Sequence, residues 1–480
     1  MAEAIATSIT PLGEGQSDPD AAPNEKLPPG EWLKKNLFSS LGNTLLTLLL
    51  LTLAVYLTYE AITYVIDSEW QIIRTNLALF MIGRFPRDEL WRQWASLYLV
   101  LGAIGFTSAA IARTAHNLAI EQELPTEREG LVSLVRRFWS ILAAVIFFAS
   151  FARTLLPFIG LAVAVPVLLI ARELGWRSPE PLRRGAPYVG GLLLLGSMFV
   201  LAGSSNLLGL SVGLVVFLWV STELGRQVVD GGFMGLAKRQ GPALLAAVVA
   251  YIIVRVIPLD GFGWEDWGGI HVTFFVTIIG ITLGMPIGTL LAVARRSNLP
   301  VLQSAAVLFI EFVRGVPLIS LLLFSQLLLP LFLPQGFERP ANLTLSIFVI
   351  MFFSAAYIAE IVRGGLQAVP KGQTEAAQAA GMSAFNVQRL IVLPQALRAS
   401  IPAMVGQFIA LFKDTTLLTI IGLGPELLGV GLIANAQNEF VGRGLAPLTY
   451  LFVAVGYWAF AYTLSKESRR LEVKLGVGTR

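Results

Sequence analysis

Apolar runs long enough to cross a bilayer alternate with short charged segments from about residue 41 to residue 464. A transmembrane helix needs about 20 predominantly apolar residues. Windows of that kind fall at about 41–66, 94–114, 138–153, 156–172, 187–203, 206–224, 242–258, 271–294, 315–333, 341–363, 398–421 and 445–464. The pattern predicts an all-α membrane protein of about 12 transmembrane helices, because lipid leaves no partner for an unpaired backbone. Met1 to Gly30 is rich in Pro, Gly, Asp and Glu and is expected to be a disordered tail without a cleavable leader. Lys34 and Lys35 precede the first apolar run and place the N-terminus in the cytoplasm.

The stretch from Phe138 to Ala171 is interrupted by Arg153 and Pro157 and reads either as one long tilted helix or as two short ones. Charge favours two. A hairpin there puts Arg136, Arg137, Arg172, Arg177, Arg183, Arg184, Arg226, Lys238, Arg239, Arg295, Arg296, Lys371, Arg389, Lys466, Arg469 and Arg470 on the cytoplasmic side. The C-terminus is then cytoplasmic as well. Asp260, Glu265 and Asp266, with Trp264 and Trp267, are expected to form an interfacial belt on the periplasmic face, and the segment 67–93 reads as a loop of mixed charge.

Composition narrows the class. The 480 residues are 55% hydrophobic and 14% charged, with a mean hydropathy of +0.70, too apolar for a soluble core. The absence of Cys removes a disulfide framework, a thiolate metal site and a Cys nucleophile, and two His exclude a His-rich metal site. The net charge of +4 follows membrane orientation and does not imply nucleic-acid binding.

Between the apolar runs lies a polar helical island at 370–394. Thr374 is expected to cap a short helix, Gly381 to end it, Ser383 to cap a second, and Pro394 to limit that one. Alanines at 376, 377, 379 and 380 leave the first helix slim enough to enter a groove on another protein. Glu375 falls in its first turn, where the helix dipole favours a negative charge. Elsewhere, Gly280, Gly284 and Gly288 recur on one helical face and serve either close helix packing or an open groove facing the pore. The segment before Gly315 is expected at the cytoplasmic interface, with Pro317 starting a span; there Glu311 and Arg314 either form a bracing pair, or Arg314 snorkels to lipid headgroups.

Ionisable side chains inside a membrane cost about 2.5 kcal/mol or more and face a protein interior or a wet cavity. Two groups qualify, Glu360 with Arg363, and Lys413 with Asp414. The first offers the two charges that a zwitterionic amino acid presents in reverse, or closes an ion pair within one helix. In the second, adjacent residues point about 100° apart, so they either meet the translocation path or brace an interface.

The chain divides near residue 260, into an extension of about seven spans at 31–260 and a five-span portion at 261–480. The second portion resembles the permease subunits of polar amino-acid ABC importers, the histidine/glutamine permease family, in particular the general amino-acid systems of proteobacteria and cyanobacteria. The resemblance rests on Phe309-Ile310-Glu311-Phe312-Val313-Arg314-Gly315-Val316-Pro317-Leu318, on Ala356-Tyr357-Ile358-Ala359-Glu360-Ile361-Val362-Arg363-Gly364-Gly365, on Glu375-Ala376-Ala377 with Gly381 and Ile391-Val392-Leu393-Pro394, and on Ala410-Leu411-Phe412-Lys413-Asp414-Thr415-Thr416-Leu417. Ala380 stands where leucine is common, and Thr416 where serine is common.

The resemblance implies a type I importer permease core in the bacterial inner membrane, whose coupling helix docks on an ATPase subunit through Glu375, Ala376, Ala377, Gly381, Ile391, Leu393 and Pro394. It implies two ATPase subunits, a periplasmic amino-acid-binding protein and a second related permease or a homodimer, with Glu360, Arg363, Lys413, Asp414 and Thr415 as candidates for the substrate path. ATP and Mg would be bound by the partner ATPase, since the chain has no phosphate loop of the form G-x-x-x-x-G-K-[ST]. No cofactor is expected in this chain. An ion-gradient transporter using the same charges is the alternative, but no internal repeat of these motifs supports it. An intramembrane enzyme lacks a nucleophile with a base or a metal.

Overall fold

The computed structural model describes residues 28–121, 123, 128, 130–202, 266–334, 339–422 and 425–475. The expected spans 206–224 and 242–258, Asp260, Trp264, Glu265 and nearly all of the N-terminal tail lie outside the described residues. Among the described residues no β-strand occurs, and the one β-bridge pairs Gly269 with Glu426. Among the described residues seven helices are long and apolar enough to cross a membrane, or nine when two bent pairs each count as one.

The chain forms two units, Met1–Ser68 and Glu69–Arg480. In the first, helix Leu41–Asp67 starts at Ser40, whose hydroxyl accepts from the Asn43 N–H at 3.2 Å. None of its residues is buried, and its 27 residues satisfy their own backbone, as a lipid-facing helix must.

In the second unit, helices stand at the remaining nine expected spans that are described: Leu90–Glu121, Trp139–Ala149, Leu156–Arg177, Ala186–Ala202, Gly269–Arg295, Leu318–Leu327, Asn342–Ala368, Leu393–Asp414 and Ala446–Leu475. The 138–171 stretch is two helices, broken between Ser150 and Leu155. Helix Pro300–Gly315 and helix Leu318–Leu327 meet at 102°, with Pro317 at the N-cap of the second. Proline presets the extended entry and cannot continue the first helix. The second arm has ten residues and a 3-10 turn at Leu329–Phe332, less than the span expected over 315–333.

Helix Gly269–Arg295 packs along helix Asn342–Ala368 through the glycine face. A Cβ at Gly284 would lie 3.0 Å from the Ser354 Cβ, and one at Gly288 would lie 2.6 Å from the Ala355 carbonyl oxygen. These glycines pack two helices and leave no groove between them.

Two expectations are corrected. Segment 67–93 contains helix Gln71–Ile82, which buries Ile72, Ile73, Asn76, Leu77 and Phe80 on one face. Its apolar stripe is hidden in sequence by charges at its flanks. It ends at Gly83, where φ is +68° and the backbone of Gly268 would lie 2.4 Å from any Cβ. Trp267 is not part of an interfacial belt: it is 1% exposed, stacks on His271 at 4.8 Å and meets Phe275 edge-on at 5.0 Å. Helix packing around Phe85, Val272 and Phe275 supplies more apolar contact than the interface would.

Candidate functional site

The polar island folds as helix, tight turn, helix. Helix Lys371–Ala379 begins after Pro370, whose φ of −58° suits a helix entry without a side-chain cap. Thr374 therefore does not cap it, and Glu375 lies in its second turn. At the far end Gly381 takes φ +80°, its N–H donates to the Gln378 carbonyl at 2.9 Å, and the Met382 N–H donates to the Ala377 carbonyl at 3.1 Å. That is a Schellman turn, which satisfies carbonyls the helix leaves open. The Ser383 hydroxyl then accepts from the Asn386 N–H at 3.4 Å.

The second arm does not stop at Pro394. After Ala384–Asn386 it widens into a π-helix over Val387–Val392 and continues as helix Leu393–Asp414, with Pro394 in the first α-helical turn. A proline lacks an N–H and crowds the preceding turn, and the π-bulge accommodates both defects without ending the helix.

One side of the loop is anchored. Ala377, Val387, Val392 and Ala396 are buried together with Val362 and Leu366 of helix Asn342–Ala368 and Ala292 of helix Gly269–Arg295, and Ile391 and Leu393 pack against them. The other side presents Glu375, Ala376, Ala379, Ala380, Gly381, Phe385, Leu390 and Pro394 to the outside. Small residues around an acidic group, with two exposed large apolar side chains, form a surface suited to insertion in a groove.

Directly beside this anchor, Glu360 collects three guanidinium groups. Arg363 bonds it at 2.7 Å from one turn away, Arg295 at 2.7 Å from helix Gly269–Arg295, and Arg314 at 3.4 Å from helix Pro300–Gly315. Glu311 pairs with Arg295 at 2.9 Å, and the Arg314 guanidinium lies 5.5 Å from the centre of the Tyr357 ring. Glu311 and Arg314 thus take different partners, and the network they enter crosses three helices.

Lys413, Asp414 and Thr415 are not joined to that cluster by any hydrogen bond or ion pair among the described residues. Lys413 is exposed, Asp414 half-buried and Thr415 buried, at the end of helix Leu393–Asp414 rather than at mid-span. The Thr415 hydroxyl donates to the Phe412 carbonyl at 2.8 Å and lies 3.4 Å from the Tyr457 hydroxyl.

Sequence reasoning missed Glu426, which is fully buried. It caps helix Leu427–Asn435 by accepting from Leu428 N–H at 2.9 Å and Gly429 N–H at 3.1 Å, and it accepts from the Thr419 hydroxyl at 2.5 Å and the Tyr457 hydroxyl at 2.7 Å. Four donors and a helix N-terminus compensate the carboxylate. A lone acid in the apolar run 417–434 was the available signal.

Residues 284–465 match the family described as the binding-protein-dependent transport system inner membrane component. The chain is 31% identical over 485 aligned residues, covering 95% of it and 96% of the relative, to the glutamate/glutamine/aspartate/asparagine transport system permease protein of Rhodobacter capsulatus. It is 43% identical over 256 residues, 51% of it and 68% of the relative, to an inner membrane amino-acid ABC transporter permease protein of Escherichia coli. A crystal structure of an amino acid ABC transporter with histidines aligns over 42% of the chain and 90% of that structure's chain, at 30% identity and a TM-score of 0.37.

The helical core and its matched segment define the class, the inner-membrane permeases of binding-protein-dependent transport systems. Within that class, the chain belongs to the amino-acid ABC importer permeases. It is a multi-pass membrane transport subunit, and the ion-gradient alternative has no support in this family.

Proposed function

We propose that this permease carries acidic amino acids and their amides, and that its 370–394 loop transmits ATP hydrolysis by a partner ATPase to the transmembrane helices. The relative aligned over 95% of the chain is named for glutamate, glutamine, aspartate and asparagine. The observation that carries the coupling role is the two-sided loop. It is fastened through Ala377, Val387 and Val392 to helices Gly269–Arg295 and Asn342–Ala368, while Glu375, Ala376 and Gly381 face outward. A push on the outer face moves the helices that hold the inner face.

The working complex in this reading has two ATPase subunits that bind ATP and Mg, a periplasmic binding protein that delivers the amino acid, and a second related permease or a second copy of this chain. The chain itself holds no cofactor and performs no chemistry. Residues 261–480, with five spans of a total of about 12, form the permease core; 31–260 form the extension, behind a cytoplasmic tail, and both termini are cytoplasmic. Glu360 with Arg363, and Lys413, Asp414 and Thr415, are the path candidates. Their geometry favours different roles: the saturated Glu360 cluster braces the helices at the loop, whereas exposed Lys413 and half-buried Asp414 are free to meet substrate.

Purification of the chain from membranes in mild detergent tests this assembly. Recovery of an ATPase subunit and a second permease supports it, and full uptake activity by the chain alone in liposomes would refute it.

A further inference from the structure

The described residues between 69 and 202 fall into two groups by what they pack against. Helices Leu156–Arg177 and Ala186–Ala202 pack on helix Leu90–Glu121. Helix Trp139–Ala149 instead packs on Ala446–Leu475, and helix Gln71–Ile82 packs mainly on Gly269–Arg295 and Leu427–Asn435, with a smaller contact to Ala446–Leu475.

This second contact runs along most of helix Ala446–Leu475. Near its start the Phe452 ring meets Phe80 at 4.9 Å, Phe148 at 4.8 Å and Phe151 at 5.6 Å between centroids. Farther on, the buried hydroxyls of Ser140 and Thr463 are 2.7 Å apart. Toward its end the Glu467 carboxylate accepts from Arg137 through Nε at 2.8 Å and also through Nη2, while the Lys466 ammonium donates to the carbonyls of Arg136 and Arg137 at 3.4 and 3.2 Å. Ahead of the helix, Asn76 and Gln437 exchange two amide hydrogen bonds at 3.0 and 2.7 Å, and Arg443 pairs with Glu69 at 3.2 Å.

From Phe452 to Glu467 a helix rises about 22 Å, so contacts at both ends of that stretch fix its position and its tilt. In lipid no hydrophobic force drives helices together, and packing with polar bonds decides what stays associated. Opening this interface would strand the buried Ser140–Thr463 hydroxyl pair in an apolar medium. The Glu360 network, by contrast, lies on the helices that hold the coupling loop.

We propose that residues 131–151 form a permanent brace on helix Ala446–Leu475, so that the two stay one rigid frame throughout the transport cycle. The partner surface for this part of the extension is the core of its own chain. The proposal rests on the transport cycle of the preceding subsection.

The chain has no cysteine, so Ser140→Cys with Thr463→Cys introduces the one cysteine pair of this chain, read in the full complex. Oxidation with copper phenanthroline should join them in high yield, equally in the resting complex and in one trapped with ATP and vanadate. Uptake of glutamate and glutamine into liposomes by the oxidised complex should stay within about twofold of the reduced one. A cross-link that abolishes uptake until reductant is added, a yield that falls on trapping, or no cross-link at all would overturn the brace. If the double-cysteine chain does not assemble, charge reversal decides: Arg137→Glu should lower the yield of complex several-fold and Glu467→Arg should restore it, and the absence of rescue contradicts the proposal. A reduced complex that assembles but takes up no amino acid would count against the functional reading, while the cross-link yields still report on the brace.

Discussion

Arg295 donates to Glu360 at 2.7 Å and so ties helix Gly269–Arg295 to helix Asn342–Ala368 at the turn that also anchors the 370–394 loop. The Glu360 side chain is 14% exposed and faces three arginines, while Glu311 offers only a second, outer carboxylate. Removing the central carboxylate leaves like charges facing one another. Glu360→Gln is expected to destabilise the complex by about 1–3 kcal/mol, less than the loss of a fully buried pair because the arginines are partly solvated. Thermal unfolding of the detergent-solubilised complex reads this. Combining it with Arg363→Gln should recover part of the loss, and strictly additive losses would show that the network does not act as one unit.

Lys413 and Asp414 separate path from brace. If Asp414 meets the amino group of the substrate, Asp414→Asn should leave the complex assembled and lower uptake about tenfold or more, the order of one lost charged hydrogen bond. Lys413→Met should weaken glutamate and aspartate more than glutamine and asparagine. Competition among the four amino acids in an uptake assay checks this, and assembled variants with unchanged rate and preference would remove both residues from the path.

Topology follows from one crossing. Ser383 is exposed on the 370–394 loop, and Asn438 is exposed beyond helices Leu393–Asp414 and Leu427–Asn435. Single cysteines placed there should label from opposite faces of the membrane, Ser383→Cys from the cytoplasm and Asn438→Cys from the periplasm. Labelling from one face would mean that helix Leu393–Asp414 does not cross. Ser178 is a poorer probe because it is buried, with its hydroxyl bonded to the Gly175 carbonyl.

Glycines carry the close packing of the first core helix. Gly288→Val should force helix Gly269–Arg295 away from helix Asn342–Ala368, since even a Cβ would stand 2.6 Å from the Ala355 carbonyl oxygen. The expected loss is about 1–3 kcal/mol, visible as a lower unfolding temperature. Gly364→Val, where a Cβ would meet open space, serves as the control. Equal effects at the two sites would contradict close packing at Gly288.

Most of the described span positions are legible because the length of an apolar run is set by the bilayer, and the Gly381 turn because only a left-handed residue closes it. Three features are not. Helix Gln71–Ile82 is short and flanked by charges, so its core face shows only once it packs against helices Gly269–Arg295, Leu427–Asn435 and Ala446–Leu475. Thr374 looked like a cap because a polar cap is the usual start, yet Pro370 begins the helix earlier without one. Arg295 and Arg314 read as loop or boundary charges, and their convergence on Glu360 is a tertiary fact that spacing along one helix cannot encode.

Gly381 bears most directly on the coupling role. Its φ is +80° and open space surrounds it, so a side chain there strains only the backbone, by about 1–2 kcal/mol. Binding-protein-dependent, ATP-driven uptake of glutamate and glutamine into liposomes should be measured for the wild-type complex and for Gly381→Val at equal membrane content. The coupling account predicts uptake by the wild type, and for Gly381→Val a loss of both uptake and stimulated ATP hydrolysis despite normal insertion. Wild-type uptake by Gly381→Val, or uptake that proceeds without the ATPase subunit, would contradict it.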